Sequence, residues 1–284
     1  MTANEFFSAI AAISGLSFVV ASMLAMGLSL TMAQILQPLK NVRLVILALV
    51  ANFVLVPLLA YGITRLIPLD QSLQIGLIVL STVAGAPFLV KEVQAAKGNL
   101  ALGVGLMFLL MIVTIIYVPL ALPVLLPGVE VNPWDIAKSL IMTMLLPLVL
   151  GLLFRSNSPE DAQHWAPMLN KASGLALLLM LVTGVGLNVS NIISLIGSLG
   201  FLALILFVVG SLVIGFLLSG RDPAVRSVMG LGTAQRNVAA AILVSTLNFP
   251  GTLTIPYVLV ASIVLPLILI PTARWLGKRN EAAA

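Results

Sequence analysis

The feature that most constrains this chain is a series of apolar segments, each long enough to cross a lipid bilayer, separated by short polar joints. About 20 apolar residues form a spanning helix. The sequence is 61% hydrophobic and 8% charged, a composition that excludes a soluble globular protein. We therefore predict an all-α polytopic membrane protein with nine transmembrane helices. The predicted spans are 6–36, 42–66, 72–95, 99–126, 134–154, 166–187, 192–219, 223–247 and 252–276.

Basic residues are distributed unevenly between the two sets of joints. Ten lie after odd-numbered spans: Lys40, Arg43, Lys97, Arg155, Lys171, Arg221, Arg226, Arg274, Lys278 and Arg279. Only Arg65 and Lys138 lie after even-numbered spans. The positive-inside rule then predicts an external amino terminus and a cytoplasmic carboxyl terminus. The expected location is the bacterial inner (plasma) membrane. The bias also accounts for the net charge of +5 without a nucleic-acid partner.

The third and eighth spans are interrupted in the middle. Residues 81–99 read STVAGAPFLVKEVQAAKGN, and residues 228–241 read VMGLGTAQRNVAAA. The two spans are five apart, so they cross in opposite senses, as in an inverted-topology repeat with halves 1–126 and 127–284. Interrupted, Gly- and Pro-marked segments at corresponding positions of two halves indicate the midplane binding site of a transporter. Pro and Gly are also common in ordinary membrane helices, which is the alternative.

Each interruption is followed by a cation, Lys91 in the first and Arg236 in the second. A charge in the hydrocarbon costs about 2.5 to 3.5 kcal/mol on insertion scales, so it persists where it has a task or a partner. Glu92 is the only acidic residue predicted within a span and away from its ends. These residues mark the predicted functional centre.

At this point the sequence resembles the bile acid:sodium symporter family of secondary transporters. The resemblance is carried by MGLSLT at 26–31, VPLLAYGITRLIPL at 56–69, AKGNLALGVG at 96–105 and GTAQRNVAAAILVS at 232–245. It implies a core domain and a panel domain, two broken helices that cross in the core, and substrate binding in the cleft between the domains. It also implies nine or ten helices, and this chain is expected to be of the nine-helix kind, without the family's first helix.

The sequence departs from the family where the resemblance implies sodium ligands. Leu89 and Val90 stand where a Ser-Asn pair is expected, and Leu231 stands where a Glu is expected, although Gln235 is present. An apolar side chain cannot replace an oxygen ligand, so no metal site and no sodium coupling through the usual sites are expected. Our hypothesis is that Lys91 and Arg236 supply positive charge at the carbonyl ends of the half-helices instead.

The predicted function is transport of a small organic anion by alternating access. The candidate substrate-binding residues are Lys91, Arg236, Asn237, Pro87 and Thr233. The candidate coupling or charge-compensating residues are Lys91, Glu92, Gln235, Arg236 and Asn52. Glu92 either carries a proton in each cycle or is a fixed counter-ion. The competing structural interpretation is that Lys91 snorkels or pairs with Glu92, and that Arg236 belongs to a hydrogen-bond network.

Three other functions compete with this prediction. The chain could be a sodium-coupled symporter whose ligands are shifted by a residue or two, or a passive channel. An enzyme is not expected, because the spans contain no His, Cys or Asp pair for catalysis, and His164 is assigned to a polar connection. No cofactor is expected other than a coupling proton. Substrate identity, direction of transport and oligomeric state are left open.

Overall fold

A computed structural model describes residues 3–129 and 132–283, and within these ranges the regular secondary structure is helical, with no strand. The helices, in chain order, are α1 (Ala3–Ser29), α2 (Met32–Leu36), α3 (Val42–Leu66), α4 (Gln71–Thr82), α5 (Leu89–Ala95), α6 (Leu100–Leu125), α7 (Pro133–Asn157), α8 (Pro159–Leu187), α9 (Val189–Leu195), α10 (Leu199–Leu218), α11 (Pro223–Ala234), α12 (Val238–Asn248) and α13 (Thr254–Ala283). The all-α prediction is confirmed. Residues 1, 2, 130, 131 and 284, which belong to the two predicted halves, lie outside the described residues.

Seven of these helices, α1, α3, α6, α7, α8, α10 and α13, are long and apolar enough to cross a membrane. Each of them overlaps one of the seven predicted spans that carry no interruption. The two interrupted spans appear as helix pairs, α4 with α5 and α11 with α12. At about 1.5 Å per residue, the 12-residue α4 is about 18 Å long, which is less than the roughly 30 Å of a hydrocarbon core. Neither half of a pair spans the core alone.

Three predicted boundaries are wrong, each for a local reason. The first span was expected to run to residue 36, but α1 ends at Ser29, and Thr31 forms a capping box with Gln34 that starts the separate helix α2. The seventh was expected to start at 192, but α9 and α10 are separated by Gly197, whose φ of 82° ends a helix. His164, assigned to a connection, lies exposed in α8, because Pro159 at the first turn starts that helix early.

Helix α1 packs against α7 and α8 and forms a three-helix layer with them. Gly27 of α1 and Gly151 of α7 permit the close approach, since a methyl group built on Gly27 would lie 2.9 Å from the Cα of Gly151. The interrupted pairs pack mainly among α3, α6, α10 and α13, and α12 also contacts α1 and the start of α7. This second group of helices surrounds the site described next.

Candidate functional site

The first interruption is a six-residue connection between Thr82 of α4 and Leu89 of α5. Gly85 adopts a φ of 77°, a conformation that favours glycine. Pro87 cannot donate a backbone hydrogen bond, and it disfavours helical geometry in the residue before it. Residues 83–86 are buried, so their backbone groups require partners.

Thr114 of α6 provides two of those partners. Its hydroxyl accepts a hydrogen bond from the N–H of Ala84 at 2.9 Å and donates one to the carbonyl of the same residue at 3.1 Å. Thr114 is fully buried. In the sequence, Thr114 is the only Ser or Thr of an otherwise apolar helix, a position more typical of a helix-to-helix hydrogen bond than of a ligand contact. Its bonds to the first interruption agree with that interpretation.

Replacing Thr114 with valine is expected to lower the free energy of unfolding by about 1 to 3 kcal/mol, because a buried backbone N–H and C=O each lose a partner while side-chain volume is kept. Thr183→Val is the matched control, since the buried Thr183 hydroxyl bonds only to carbonyls of its own helix. Thermal unfolding in detergent measures both. Equal losses in the two variants would contradict the assigned role of Thr114.

The second interruption is shorter and lies against the first. Helix α11 ends at Ala234, and α12 begins at Val238, with Asn237 as its N-cap. The Asn237 side chain accepts a hydrogen bond from the N–H of Ala240 at 3.2 Å, as N-caps do. Its backbone N–H donates to the carbonyl of Val83 at 3.2 Å, and its amide nitrogen lies 3.5 Å from the carbonyl of Gly85. The two interruptions are thus in direct contact.

Arg236 joins the carbonyl ends of both half-helices. Its guanidinium donates to the carbonyls of Leu80 at 3.0 Å and Ser81 at 2.7 Å, both in the last turn of α4. It also donates to the carbonyl of Thr233, at the end of α11, at 3.2 Å. Each helix C-terminus carries about half a negative charge, so two of them together match the single positive charge of Arg236. The side chain is completely buried.

Asn52 completes the shell around Arg236. Its Oδ1 accepts a hydrogen bond from the guanidinium at 2.8 Å, and its Nδ2 donates to the carbonyl of Ala48 at 3.0 Å. Asn52 lies in a π-helical turn, Ala51–Leu55, just before Val56-Pro57. Proline disrupts the regular α-helical hydrogen bonding before it, which accounts for the wide turn. Four of the five guanidinium N–H groups therefore have protein acceptors.

The other predicted site residues are placed differently from Arg236. Lys91 is exposed, its ammonium lies 5.8 Å from the centre of the Phe88 ring, and no hydrogen bond or ion pair to another described residue is found. The structure therefore does not bring Lys91 to the carbonyl ends that Arg236 contacts. Pro87 lies half-buried within the first interruption.

Several buried oxygen atoms near the interruptions have no hydrogen-bond partner among the described residues. Glu92 is 2% exposed, and neither carboxyl oxygen has a partner. Gln235 donates from Nε2 to the carbonyl of Arg236 at 3.3 Å, whereas its Oε1 has none. The hydroxyl of the buried Thr233 is also without a partner. Unpaired buried polar atoms are rare in folded proteins, so each of these groups marks a candidate functional position.

Comparison with known proteins identifies the family. The sequence profile of the sodium bile acid symporter family matches residues 16–195, which is more than half of the chain and includes the first interruption. The chain belongs to the sodium bile acid symporter family. The bundle of apolar helices agrees with membership of a family of membrane transporters.

The individual relatives are only distantly similar to this chain in sequence. A probable chloroplastic sodium/metabolite cotransporter of rice, Oryza sativa subsp. japonica, is 28% identical over 72% of this chain and 48% of its own length. The protein YbaS of Bacillus subtilis is 27% identical over 75% of this chain and 72% of its own length. The sodium-dependent transporter YocS of B. subtilis is 23% identical over 63% and 60%. The match spans about half of the rice relative.

This family member has leucines at two of the positions where the resemblance implies sodium ligands. Leu89 and Leu231 are both buried in the structure. A methyl group built on Gly232 would lie 3.2 Å from a Leu89 methyl group, so Leu89 packs directly against the end of α11. Both positions are therefore filled by buried hydrocarbon side chains.

Proposed function

We propose that the protein is a secondary transporter of a small organic anion that works by alternating access. In this proposal the seven long helices and the two interrupted pairs make nine crossings, arranged as an inverted repeat with core and panel domains. The three-helix layer of α1, α7 and α8 is the panel. The amino terminus is external and the carboxyl terminus cytoplasmic, in a bacterial inner membrane.

The observation that carries the proposal is the position of Arg236 between the carbonyl ends of α4 and α11. Two crossing half-helices direct negative partial charge toward the middle of the membrane. A cation bound at each transport cycle, such as sodium, would balance that charge. Here the guanidinium balances it permanently, because Arg is protonated at all physiological pH values. We infer that sodium is not required to hold the two interrupted helix pairs together where they contact each other.

The substrate class follows from the charges that are left over. Arg236 has four of its N–H groups engaged by the protein, so it acts mainly as a charge-compensating residue. Lys91 has no hydrogen bond to another described residue, so its three donors are available to a ligand. We propose that Lys91 attracts the carboxylate or sulfonate of the substrate, and that Pro87, Thr233 and Asn237 are the other substrate-binding residues.

Sodium dependence of thermal stability tests this proposal. We expect the unfolding temperature of the purified protein to be the same in sodium chloride and potassium chloride at equal ionic strength. We expect taurocholate or benzenesulfonate, two sulfonates of different size, to raise it by mass action. Lys91→Gln is expected to abolish this rise. Lys97→Gln, which removes an exposed lysine paired with Glu281, is expected to retain it.

Sodium-coupled symport is the second candidate, favoured by the relatives named as sodium cotransporters and by the unpaired Gln235 Oε1 and Thr233 hydroxyl. Both are oxygen atoms of the kind that bind hard cations. A stabilisation specific to sodium, lost in Gln235→Leu, would support this second candidate and overturn the first. Sodium-independent stabilisation by a sulfonate would do the reverse.

A further inference from the structure

Glu92 is the one acidic side chain among the described residues that is buried in the helical bundle. It lies in α5, is 2% exposed, and neither of its carboxyl oxygens has a hydrogen-bond partner. The acidic residues whose exposure is described elsewhere in the chain, Asp70, Asp135, Glu160, Asp161, Asp222 and Glu281, are all exposed. The proposed charge compensation by Arg236 makes no use of Glu92.

Within the part of the chain that the structure describes, no cation forms an ion pair with this carboxyl group. The helices that pack most closely on α5 are α6, α11 and α13. Their titratable side chains are Tyr117 on α6, Arg226 on α11, and Tyr257, Arg274, Lys278, Arg279 and Glu281 on α13. All five charged groups are exposed, and Tyr257 donates to the carbonyl of Gly200. Lys91, on α5 itself, is exposed as well.

An ionised carboxylate in these surroundings would be buried without any compensating interaction. Such a charge is far less favourable than the neutral acid, and groups in this situation take up a proton instead. The positive end of α5 stabilises the charge little, because a helix of seven residues has only a weak dipole. The geometry therefore requires the carboxylic acid form of Glu92 in the conformation described.

Glu92 lies one helical turn before the end of α5. From Glu92 to Ala95, the last residue of the helix, the rise is about 4.5 Å at 1.5 Å per residue. The end of α5 is covered by α13: Asn280 donates from Nδ2 to the carbonyl of Ala96 at 2.8 Å and to the hydroxyl of Ser227 at 3.0 Å. A methyl group built on Gly277 would overlap the carbonyl oxygen of Ala95. Separation of α13 from α5 would uncover this end of α5, one turn from Glu92.

We propose that Glu92 is a proton-binding site and that the proton it holds is the coupling ion of the transport cycle. The carboxylate takes up a proton from water and forms an O–H bond while the α5–α13 contact is open. The neutral acid is then buried when the contact closes. The same O–H bond breaks, and the proton leaves, when the alternate state exposes the group again. The coupling role rests on the proposed transport function, whereas the proton-binding role does not.

Infrared spectroscopy of the purified protein tests the binding site. The carbonyl stretch of a protonated carboxylic acid is expected at neutral pH in the wild type and in Glu281→Gln, and it is expected to be absent in Glu92→Gln. The Glu281 variant is the matched control, because it makes the same change at an exposed acid. Absence of the band in the wild type, or its persistence in Glu92→Gln, would overturn the proposal.

A stability measurement keeps the site testable if a variant expresses poorly. The native state holds a proton that the unfolded chain would release at neutral pH, so the unfolding temperature of the wild type should fall as pH rises. Glu92→Gln mimics the neutral acid and should remove that component of the pH dependence, with stability at neutral pH equal to or above that of the wild type. A lower stability and an unchanged slope would contradict the proposal.

Proteoliposomes containing a pH-sensitive dye test the coupling. Taurocholate and benzenesulfonate are suitable probes, because sulfonates do not carry protons across the bilayer by themselves. Anion entry in the wild type is expected to move protons, and Glu92→Gln is expected to remove proton movement. Anion entry without proton movement in the wild type would overturn the coupling role alone. If neither anion enters, the proposed function fails for these substrates, and the infrared result independently decides the proton site.

Discussion

Replacing Arg236 with glutamine is expected to lower the free energy of unfolding by at least about 2 kcal/mol, the largest loss among the polar substitutions proposed for this protein. The guanidinium serves three backbone carbonyls and Asn52, whereas a glutamine amide has only two N–H donors. At least two buried acceptors then lose their donor, and each such loss costs about 1 to 3 kcal/mol. Thermal or denaturant unfolding in detergent measures the effect.

Two further variants separate charge from geometry. Arg226→Gln removes an exposed arginine from α11, the helix that precedes Arg236, and should change stability by no more than about 0.5 kcal/mol. Arg236→Lys keeps the charge but loses the planar fork of donors, so it should fall between wild type and glutamine. If Arg236→Gln had the same free energy of unfolding as the wild type, the contact between the two interruptions would not depend on this cation.

Replacing Gly85 with alanine is expected to prevent the first interruption from packing against α6 as it does in the native structure. The new methyl group would overlap the backbone nitrogen of Met111 and lie 2.6 Å from the carbonyl oxygen of Met107. Both contacts are with backbone of α6, which cannot rotate away as a side chain can. The φ of 77° adds a cost of about 1 to 2 kcal/mol for a residue with a Cβ. Size-exclusion chromatography after membrane extraction should show aggregated or unrecoverable protein.

Gly128→Ala is the control that isolates the backbone component. Gly128 has a similar φ, 82°, but a methyl group there would meet no atom within 4 Å. Replacing Gly128 should lower the free energy of unfolding by about 1 to 2 kcal/mol, through the positive φ alone. The protein should remain monodisperse. If both alanine variants behaved alike, steric contact between the first interruption and α6 would not be what determines the position of that segment.

The contrast between Lys91 and Arg236 has a functional consequence. In sequence the two cations occupy equivalent places after an interruption, which led to the hypothesis that they act alike. In the structure one is enclosed by helix ends and the other is exposed near Phe88. Under the proposed function this gives them separate tasks, charge compensation for Arg236 and attraction of the substrate for Lys91.

The sequence alone determined the features that depend on local composition. Seven uninterrupted membrane helices follow from apolar length, and the two interruptions follow from Gly85, Pro87 and the polar group 235–237, because helix formation and hydropathy are set by residues adjacent in the chain. The place of Arg236 after the second interruption also indicated that it belongs near the centre, and the resemblance to the family indicated the same for Asn52. The locations of α2 and α9 were missed, since a capping box or a single Gly inside an apolar run changes hydropathy very little.

Only the tertiary structure decided which groups meet. Arg236 contacts Asn52, 184 residues away, and the carbonyls of α4, about 155 residues away, and Thr114 bonds to a backbone 30 residues before it. Such contacts depend on how helices cross, and backbone carbonyls carry no signature in the sequence. Burial has the same origin: Lys91 and Glu92 are neighbours in the chain, yet a rotation of about 100° per residue in α5 leaves one exposed and encloses the other.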